Sequence, residues 1–269
     1  VCGHVAQLPV AWAAARLRRG RRYYLVAHGI EVWRAFGACE RFFLRGAERI
    51  LCVSEHTRRE FLRHAPVDPV RAVVLPNGLD PAFAIAPGKP LRACPPVIVA
   101  ISRLGREDRY KGVDALVEAM PAVRASEPEA RLRVIGQGED RPRLESIARR
   151  LGLPDGVVEF LGPAGDARIE EELRECRLFA LPSTMEGFGL VYLEAMAHGR
   201  PCLAARAAAA PELVTADTGI LVEPGNPAAL ASGLVEGLRR TWDQTVMLDR
   251  AGRFSYELFK ERLAVLLFS

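Results

Sequence analysis

Residues 178–194 read LFALPSTMEGFGLVYLE. The apolar run Leu178–Leu181 is short, continuous and bounded by Pro182, as expected of a strand buried on both faces. Two glycines, Gly187 and Gly189, then mark a tight loop, and Leu190–His198 resumes with helical spacing. Strand, glycine-bearing loop and helix in this order form the joint of a doubly wound α/β sheet, whose strands run parallel beneath helices on both faces.

The alternation extends in both directions. Upstream, Pro96–Ile101, Arg131–Ile135 and Val157–Leu161 are predicted strands. Val113–Ala125, Arg143–Leu151 and a segment near Ile169–Arg174 are predicted helices, and Pro227–Arg239 closes this second lobe. Before a Pro-, Gly- and Ala-rich linker at 86–96, Tyr23–Ala27, Ile50–Val53 and Ala72–Leu75 read as strands, with helices at Leu8–Leu17, Cys39–Ala47 and Glu55–Arg63. Phe254–Phe268 is a further helix, placed to pack back on the first lobe. The expected organisation is a partial first lobe over 1–88, a second lobe over 89–245 and a C-terminal helix within 246–269.

The first lobe has about three strands, half of the usual six-strand order, and is therefore read as incomplete. Val1–Gly3 resembles the end of a strand with nothing before it. The opening part of the first domain is therefore expected to be missing, which would expose sheet edge.

Composition bounds the function classes. Of 269 residues, 49% are hydrophobic and 26% charged, the balance of a globular protein, and no apolar run is long enough to span a bilayer. The six cysteines are scattered, without metal-like spacing, and read as buried free thiols of a reducing compartment, so a cytoplasmic location is expected. Residues 1–67 carry twelve Arg against five Glu and no Asp, a balance of +7, so the remainder holds −3 of the total of +4. That asymmetry suits an anionic partner, either a phosphorylated acceptor or peripheral contact with a membrane surface at its inner face. Against it, the chain has 34 arginines and only three lysines, Lys89, Lys111 and Lys260, so arginine is its default cation. No nucleic-acid partner is expected.

Three constellations carry chemistry. In the opening stretch, unpaired backbone N–H groups at a helix start form a ready site for a diphosphate. Glu186 and Glu194 lie about 12 Å apart along the axis if the segment is helical, and further if part is extended. They are too far apart to share a metal easily, but able to flank a diphosphate, one bonding sugar hydroxyls and the other ribose hydroxyls. Second, Ser102-Arg103-Leu104 and Arg109-Tyr110-Lys111-Gly112 follow a strand. There Arg103 and Lys111 can converge on a leaving phosphate, and a lysine in an arginine-rich chain points to a need for a compact ammonium. Third, His28, in Ala27-His28-Gly29-Ile30-Glu31, sits at the carboxyl end of a strand, where ligands of such sheets bind. Gly136-Gln137-Gly138 and Leu161-Gly162-Pro163 end two further strands and either shape a nucleotide pocket or make plain turns. Neither GxGxxG after a strand nor GxxxxGK[ST] is present, which argues against a dinucleotide oxidoreductase and a P-loop kinase.

Taken together these residues resemble the retaining GT-B enzymes of glycosyltransferase family 4. The resemblance runs from Gly3-His4 through His28-Gly29, Val53-Ser54 and Leu75-Pro76-Asn77-Gly78. It continues through Ser102-Arg103-Leu104, Lys111-Gly112, Leu181-Pro182-Ser183, the E-x7-E element, Gly199-Arg200-Pro201 and Pro211-Glu212. It implies two Rossmann-like doubly wound lobes with the active site in the cleft between them, and transfer with retention by a front-face mechanism in which the departing phosphate helps deprotonate the acceptor. It implies a UDP- or GDP-linked sugar as donor substrate, no cofactor and no metal, and a glycan or lipid-linked acceptor of the cell envelope. By the same resemblance Arg103 and Lys111 bind the diphosphate, Glu186 the donor sugar and Glu194 the ribose. Phe188, Gly189 and Leu190 contact phosphate and sugar through their backbone, and His28 lines the cleft. The run His28–Trp33 leans towards mannosyltransferase-like members. Two departures stand out. The family's opening strand with its Gly-rich loop is not in this sequence, which by the resemblance removes catalytic contacts and predicts a weakly active or inactive, poorly soluble polypeptide. Turnover at ordinary enzyme rates would overturn that expectation. Ala207-Ala208-Ala209-Ala210 replaces a usual glycine pair, which restricts the backbone and bears on donor fit. An inactive sugar-nucleotide-binding remnant and a GT-B-shaped phosphorylase or epimerase are the alternative readings.

Overall fold

A computed structural model describes residues 1–17 and 22–268. Arg18, Arg19 and Arg21, which contribute to the N-terminal basic balance, lie outside the described residues. The chain divides into two compact units. The first comprises Val1–Gly78, Glu186–Gly189 and Tyr256–Ser269; the second comprises Leu79–Met185 and Leu190–Ser255.

In chain order the first unit opens with α1 (Leu8–Leu17), β1 (Tyr24–Ala27), α2 (Ala38–Gly46), β2 (Arg49–Cys52), α3 (Glu55–His64) and β3 (Ala72–Val74). The three strands pair in parallel in the order β1-β2-β3, with Leu25 opposite Ile50 and Ile50 opposite Ala72. A single parallel bridge adds Cys2 beside Leu25. Strand alternation sorts the side chains onto two faces. Leu25, Ala27, Ile50 and Cys52 pack with Leu8, Phe36, Leu44 and Phe61. On the other face Tyr24 and Leu51 meet Phe259, Leu263, Leu266 and Leu267 of the C-terminal helix. Ser54 caps α3 by accepting from the Thr57 N–H, so the chain turns sharply into a helix where β2 ends.

The second unit holds β4 (Val97–Ile101), α4 (Val113–Ser126), β5 (Arg131–Ile135), α5 (Arg141–Arg150), β6 (Val158–Gly162), α6 (Asp166–Glu175) and β7 (Leu178–Leu181). It continues through α7 (Leu190–Ala197), β8 (Cys202–Ala205), α8 (Ala210–Leu213), β9 (Gly219–Val222), α9 (Pro227–Arg239) and α10 (Gln244–Gly252); α11 (Tyr256–Phe268) belongs to the first unit. Its six parallel strands run β6-β5-β4-β7-β8-β9. The order reverses between β4 and β7, which makes the carboxyl ends of those two strands the switch point where ligands of doubly wound sheets bind.

Arg200 anchors the segment that leads into this sheet. It is wholly buried, and its guanidinium donates to the backbone carbonyls of Lys89 (2.8 Å) and Arg174 (2.6 Å). These two bonds hold one nitrogen of a buried cation whose Nε has no partner among the described residues, so losing either carbonyl would be costly. Among the cysteines, the expected burial holds for five, but Cys39 is exposed on α2 because its position in that helix faces away from the sheet.

Ala208 has φ +49, a left-handed conformation that costs an alanine roughly 1–2 kcal/mol. The Ala-for-Gly departure noted in the sequence is therefore strained backbone. Ala208→Gly is expected to raise stability by about 1 kcal/mol, less than the full strain because glycine is freer when unfolded. Thermal unfolding followed by circular dichroism checks this; an unchanged or lower melting temperature would show that the strain is offset elsewhere.

Candidate active site

The loop after β4 is built around an acid that the sequence does not advertise. Arg106–Lys111 forms a 3-10 turn ending at Gly112, and inside it the Asp108 carboxylate is buried. Asp108 accepts from Arg103 at 2.7 Å and from the Tyr110 hydroxyl at 3.5 Å. The Arg103 side chain is 75% exposed against 3% for Asp108, so the pair fixes the base of a guanidinium that still faces solvent. Hydrogen bonding to Asp108 raises the Arg103 pKa further, leaving the group a permanent cation. Lys111 is half-buried, with its ammonium 5.2 Å from the centre of the Tyr110 ring. The Thr184 N–H donates to the Tyr110 carbonyl at 2.9 Å, tying this loop to the one that leaves β7.

A second carboxylate clamps the neighbouring loop. Asp140 is buried and accepts from Arg143 (2.6 Å) and Arg109 (2.9 Å). Hydrogen bonds from Arg143, against the opposing cost of burial, hold its pKa down at about 2. A lowered carboxyl pKa stabilises the fold above the ordinary Asp value near 4, and that contribution is lost as pH falls through about 2. Gly136, with φ +138, lets this loop pack against β4: a side chain there would collide with the Ser102 carbonyl oxygen. Its N–H bonds the Gly162 carbonyl at 2.8 Å, so the ends of β4, β5 and β6 are joined by backbone contacts.

At the end of β7 the chain leaves regular structure at Pro182 and re-enters it at Leu190. Glu186 therefore lies in a loop and Glu194 on the first turns of α7, one helical turn beyond Leu190. Tyr192 holds this helix to the strand, its hydroxyl donating to the Leu181 carbonyl at 2.6 Å and its ring edge-on to Phe179. Ser183, two residues beyond β7, has a buried Oγ with no hydrogen-bond partner among the described residues. Glu194 is half-buried; burial first, and the Asp166 carboxylate second, push its pKa up to about 7.

Glu186, Phe188 and Gly189 group with the first unit, and so does His28. There the Gly187 carbonyl accepts from Ser54 Oγ (2.7 Å) and Thr57 Oγ1 (3.2 Å). A side chain at Gly187 would collide with the His28 carbonyl oxygen. Glu31 fixes the same turn by accepting from the His28 N–H at 2.6 Å, and the His28 side chain is exposed. The structure thus places Arg103, Lys111, Gly136, Leu190 and Glu194 around the carboxyl ends of β4, β5 and β7, and His28 with Glu186, Phe188 and Gly189 in the other unit. Asp108 and Asp140 are the positioning residues missed by sequence reading; their only signal is an acid among closely spaced arginines. Among the described residues no group of three or more His, Cys, Asp and Glu is placed to hold a metal ion.

Gly187→Ala is expected to lower any turnover by about 10²-fold while leaving the circular dichroism spectrum unchanged, since a misplacement of about 1 Å at a reacting centre has that scale of effect. Unchanged steady-state kinetics would show that the close approach to His28 has no catalytic consequence.

The profile described as Glycosyl transferases group 1 matches residues 95–240, and that described as Glycosyltransferase Family 4 matches residues 1–83. A D-inositol 3-phosphate glycosyltransferase of Corynebacterium kroppenstedtii is 32% identical over 244 residues, covering 81% of this chain and 52% of that protein. A GDP-mannose-dependent monoacylated alpha-(1-6)-phosphatidylinositol monomannoside mannosyltransferase of Corynebacterium glutamicum is 37% identical over 186 residues, 64% of this chain and 47% of that protein. The chain thus spans about half the length of these relatives. The crystal structure of Anabaena HepE in complex with UDP-glucose superposes with a TM-score of 0.79 at 25% identity, covering 98% of this chain and 76% of that one. With its two parallel sheets of three and six strands, the fold is GT-B.

Proposed function

Since this chain belongs to the group 1 glycosyltransferases of family 4, we propose that it transfers a hexosyl group, mannose-like or glucose-like, from a UDP- or GDP-sugar to a glycan or lipid-linked acceptor of the cell envelope. The observation that carries the proposal is the switch point of the six-stranded sheet. There the Arg103–Lys111 loop and the β7–α7 loop are joined through Tyr110 and Thr184, beside a half-buried carboxylate with no hydrogen-bond donor among the described residues.

In this reading Arg103 and Lys111 receive the charge that develops on the departing diphosphate; cations already in place stabilise it without reorganisation. Ionised Glu194 accepts from the ribose hydroxyls, and Glu186 from hydroxyls of the transferred sugar. Backbone N–H groups of Phe188, Gly189 and Leu190 meet phosphate and sugar, and Gly136 keeps the nucleotide side of the site open to the ligand. The acceptor is deprotonated with help from the departing phosphate on the face of attack, so the sugar keeps its anomeric configuration, and His28 orients hydroxyls near it. The cationic role falls to side chains, so no metal is required in this scheme.

The names of the relatives support an inositol-phosphate or phosphatidylinositol-type acceptor and, in one case, GDP-mannose as donor. The N-terminal basic balance supports peripheral contact with an anionic membrane at its cytoplasmic face. Among the described residues no helix is long and apolar enough to cross a membrane. The test is transfer from GDP-mannose and UDP-glucose to phosphatidylinositol or inositol phosphate, with the anomeric configuration of the product read by NMR. An axial donor giving an axial product supports the scheme; an inverted product refutes the front-face step, and free phosphate acting as sole acceptor would identify a phosphorylase.

A further inference from the structure

At the amino-terminal end of the six-stranded sheet, opposite the switch point, lies a cavity of about 420 Å³. Four arginines line it: Arg92, Arg177, Arg239 and Arg240, together with Trp242 and Gln244. Arg177 immediately precedes β7 and its N–H bonds the Val97 carbonyl at the start of β4, whereas Arg103 follows the other end of β4. Five strand residues separate the two ends, about 17 Å, so this cavity is distinct from the proposed donor site.

No carboxylate lines it. Three acids of the surroundings are engaged elsewhere: Glu127 accepts from Arg239 at 2.6 Å, Glu236 lies 4.0 Å from Arg240, and Asp243, between the lining residues Trp242 and Gln244, accepts from the Thr245 hydroxyl at 2.6 Å. Four arginines therefore line a wall that contains no acid. Arg92 is exposed and in no ion pair among the described residues, while Arg240 stacks over the Trp242 indole at 4.1 Å, which fixes its plane. Arg177 donates one guanidinium nitrogen to the Cys94 carbonyl, but its Nε is buried with no partner. A buried N–H without an acceptor is rare and costly, and the residue that carries it also lines the cationic cavity. The C-terminus of α9 would ordinarily repel an anion, but two of its last four carbonyls are occupied: that of Gly237 by Trp242 Nε1 at 3.0 Å and that of Glu236 by the Arg240 N–H at 2.8 Å.

We propose that this cavity is a second anion site, which takes a phosphorylated small molecule. Forked guanidinium donors match phosphate oxygens in pairs, and the volume exceeds that of a bare phosphate while falling within the range of small-molecule pockets. The proposal stands independently of the glycosyltransferase reading.

The experiment is calorimetric titration with inorganic pyrophosphate at constant ionic strength, on the wild-type chain, on the double variant Arg92→Gln/Arg240→Gln, and on Lys111→Ala. Both arginines of the double variant reach solvent, so folding is expected to survive, and circular dichroism checks it. The expected result is a saturable binding event that weakens at least tenfold in the double variant, persists in Lys111→Ala and is not matched by chloride. Loss of this event in the arginine variant, with no event dependent on Lys111, would support the second site while undercutting the donor site. Pyrophosphate binding unaffected by the double variant, or equalled by chloride, would overturn the proposal.

Discussion

Lys111→Ala is expected to reduce turnover by about 10²- to 10³-fold, the scale seen when one preorganised group that stabilises developing charge is removed. The position explains the size. Lys111 closes the 3-10 turn that Asp108 anchors, and its half-buried ammonium lies against the Tyr110 ring at the switch point. Lys111→Arg is expected to restore only part of the loss, because a planar fork cannot replace a compact ammonium at the same point. Arg103→Ala falls in the same range, and Asp108→Asn, which leaves Arg103 without its anchoring charge, gives a smaller loss. Steady-state kinetics distinguishes these cases: a defect confined to KM would place Lys111 in ground-state binding and remove it from leaving-group stabilisation.

The second large effect concerns Glu194 and has a signed dependence on pH. Its ionised form accepts from two hydroxyls more strongly than the neutral acid, yet burial and the Asp166 charge push its pKa up to about 7. If binding selects the ionised form, a nucleotide sugar releases a proton on binding below pH 7, and affinity is expected to fall by up to about tenfold per unit as pH drops below that value. A nucleotide sugar is the right probe because a free nucleoside diphosphate itself titrates near pH 6. Glu194→Gln should give a flat profile. At pH 8 its affinity should be about 10- to 100-fold weaker than wild type, as follows from losing hydrogen bonds to a charged acceptor. Stability without ligand should move the other way. The folded carboxyl has a raised pKa, so the stabilisation present below the unfolded value near 4.3 is lost as pH rises through about 7. Glu194→Gln is therefore expected to be more thermostable than wild type at pH 8. A pH-independent wild-type affinity would separate Glu194 from the ribose.

Continuous apolar runs account for what was legible in the sequence. Leu178–Leu181, Arg131–Ile135 and Leu8–Leu17 occur with the predicted limits: the first is a short apolar run buried on both faces, the second alternates Arg with apolar residues before ending in Val-Ile, and the third is an apolar helical stretch. Strands β8 and β9 were not separately predicted: each has four residues, and CLAA with its alanines carries little β preference. α10 was missed because Gln244–Gly252 has only Met247 and Ala251 buried, too few for a periodic signal. Of the site, the cations and the paired glutamates could be named because their types and spacing are chemical. Asp108 and Asp140 could not, because arginines lie close to many acids in this chain and the sequence does not show which of those acids the fold buries. The grouping of Glu186–Gly189 with the His28 turn was equally invisible, since it rests on backbone contacts of Gly187 with residues 130 or more positions away.

Calorimetric titration of the folded chain with UDP and with GDP, repeated on Glu194→Ala, tests the donor site most directly. The account predicts one-to-one binding of one of the two nucleotides, weakened at least tenfold by the substitution. Absence of binding of either nucleotide, with the fold intact by circular dichroism, would contradict it.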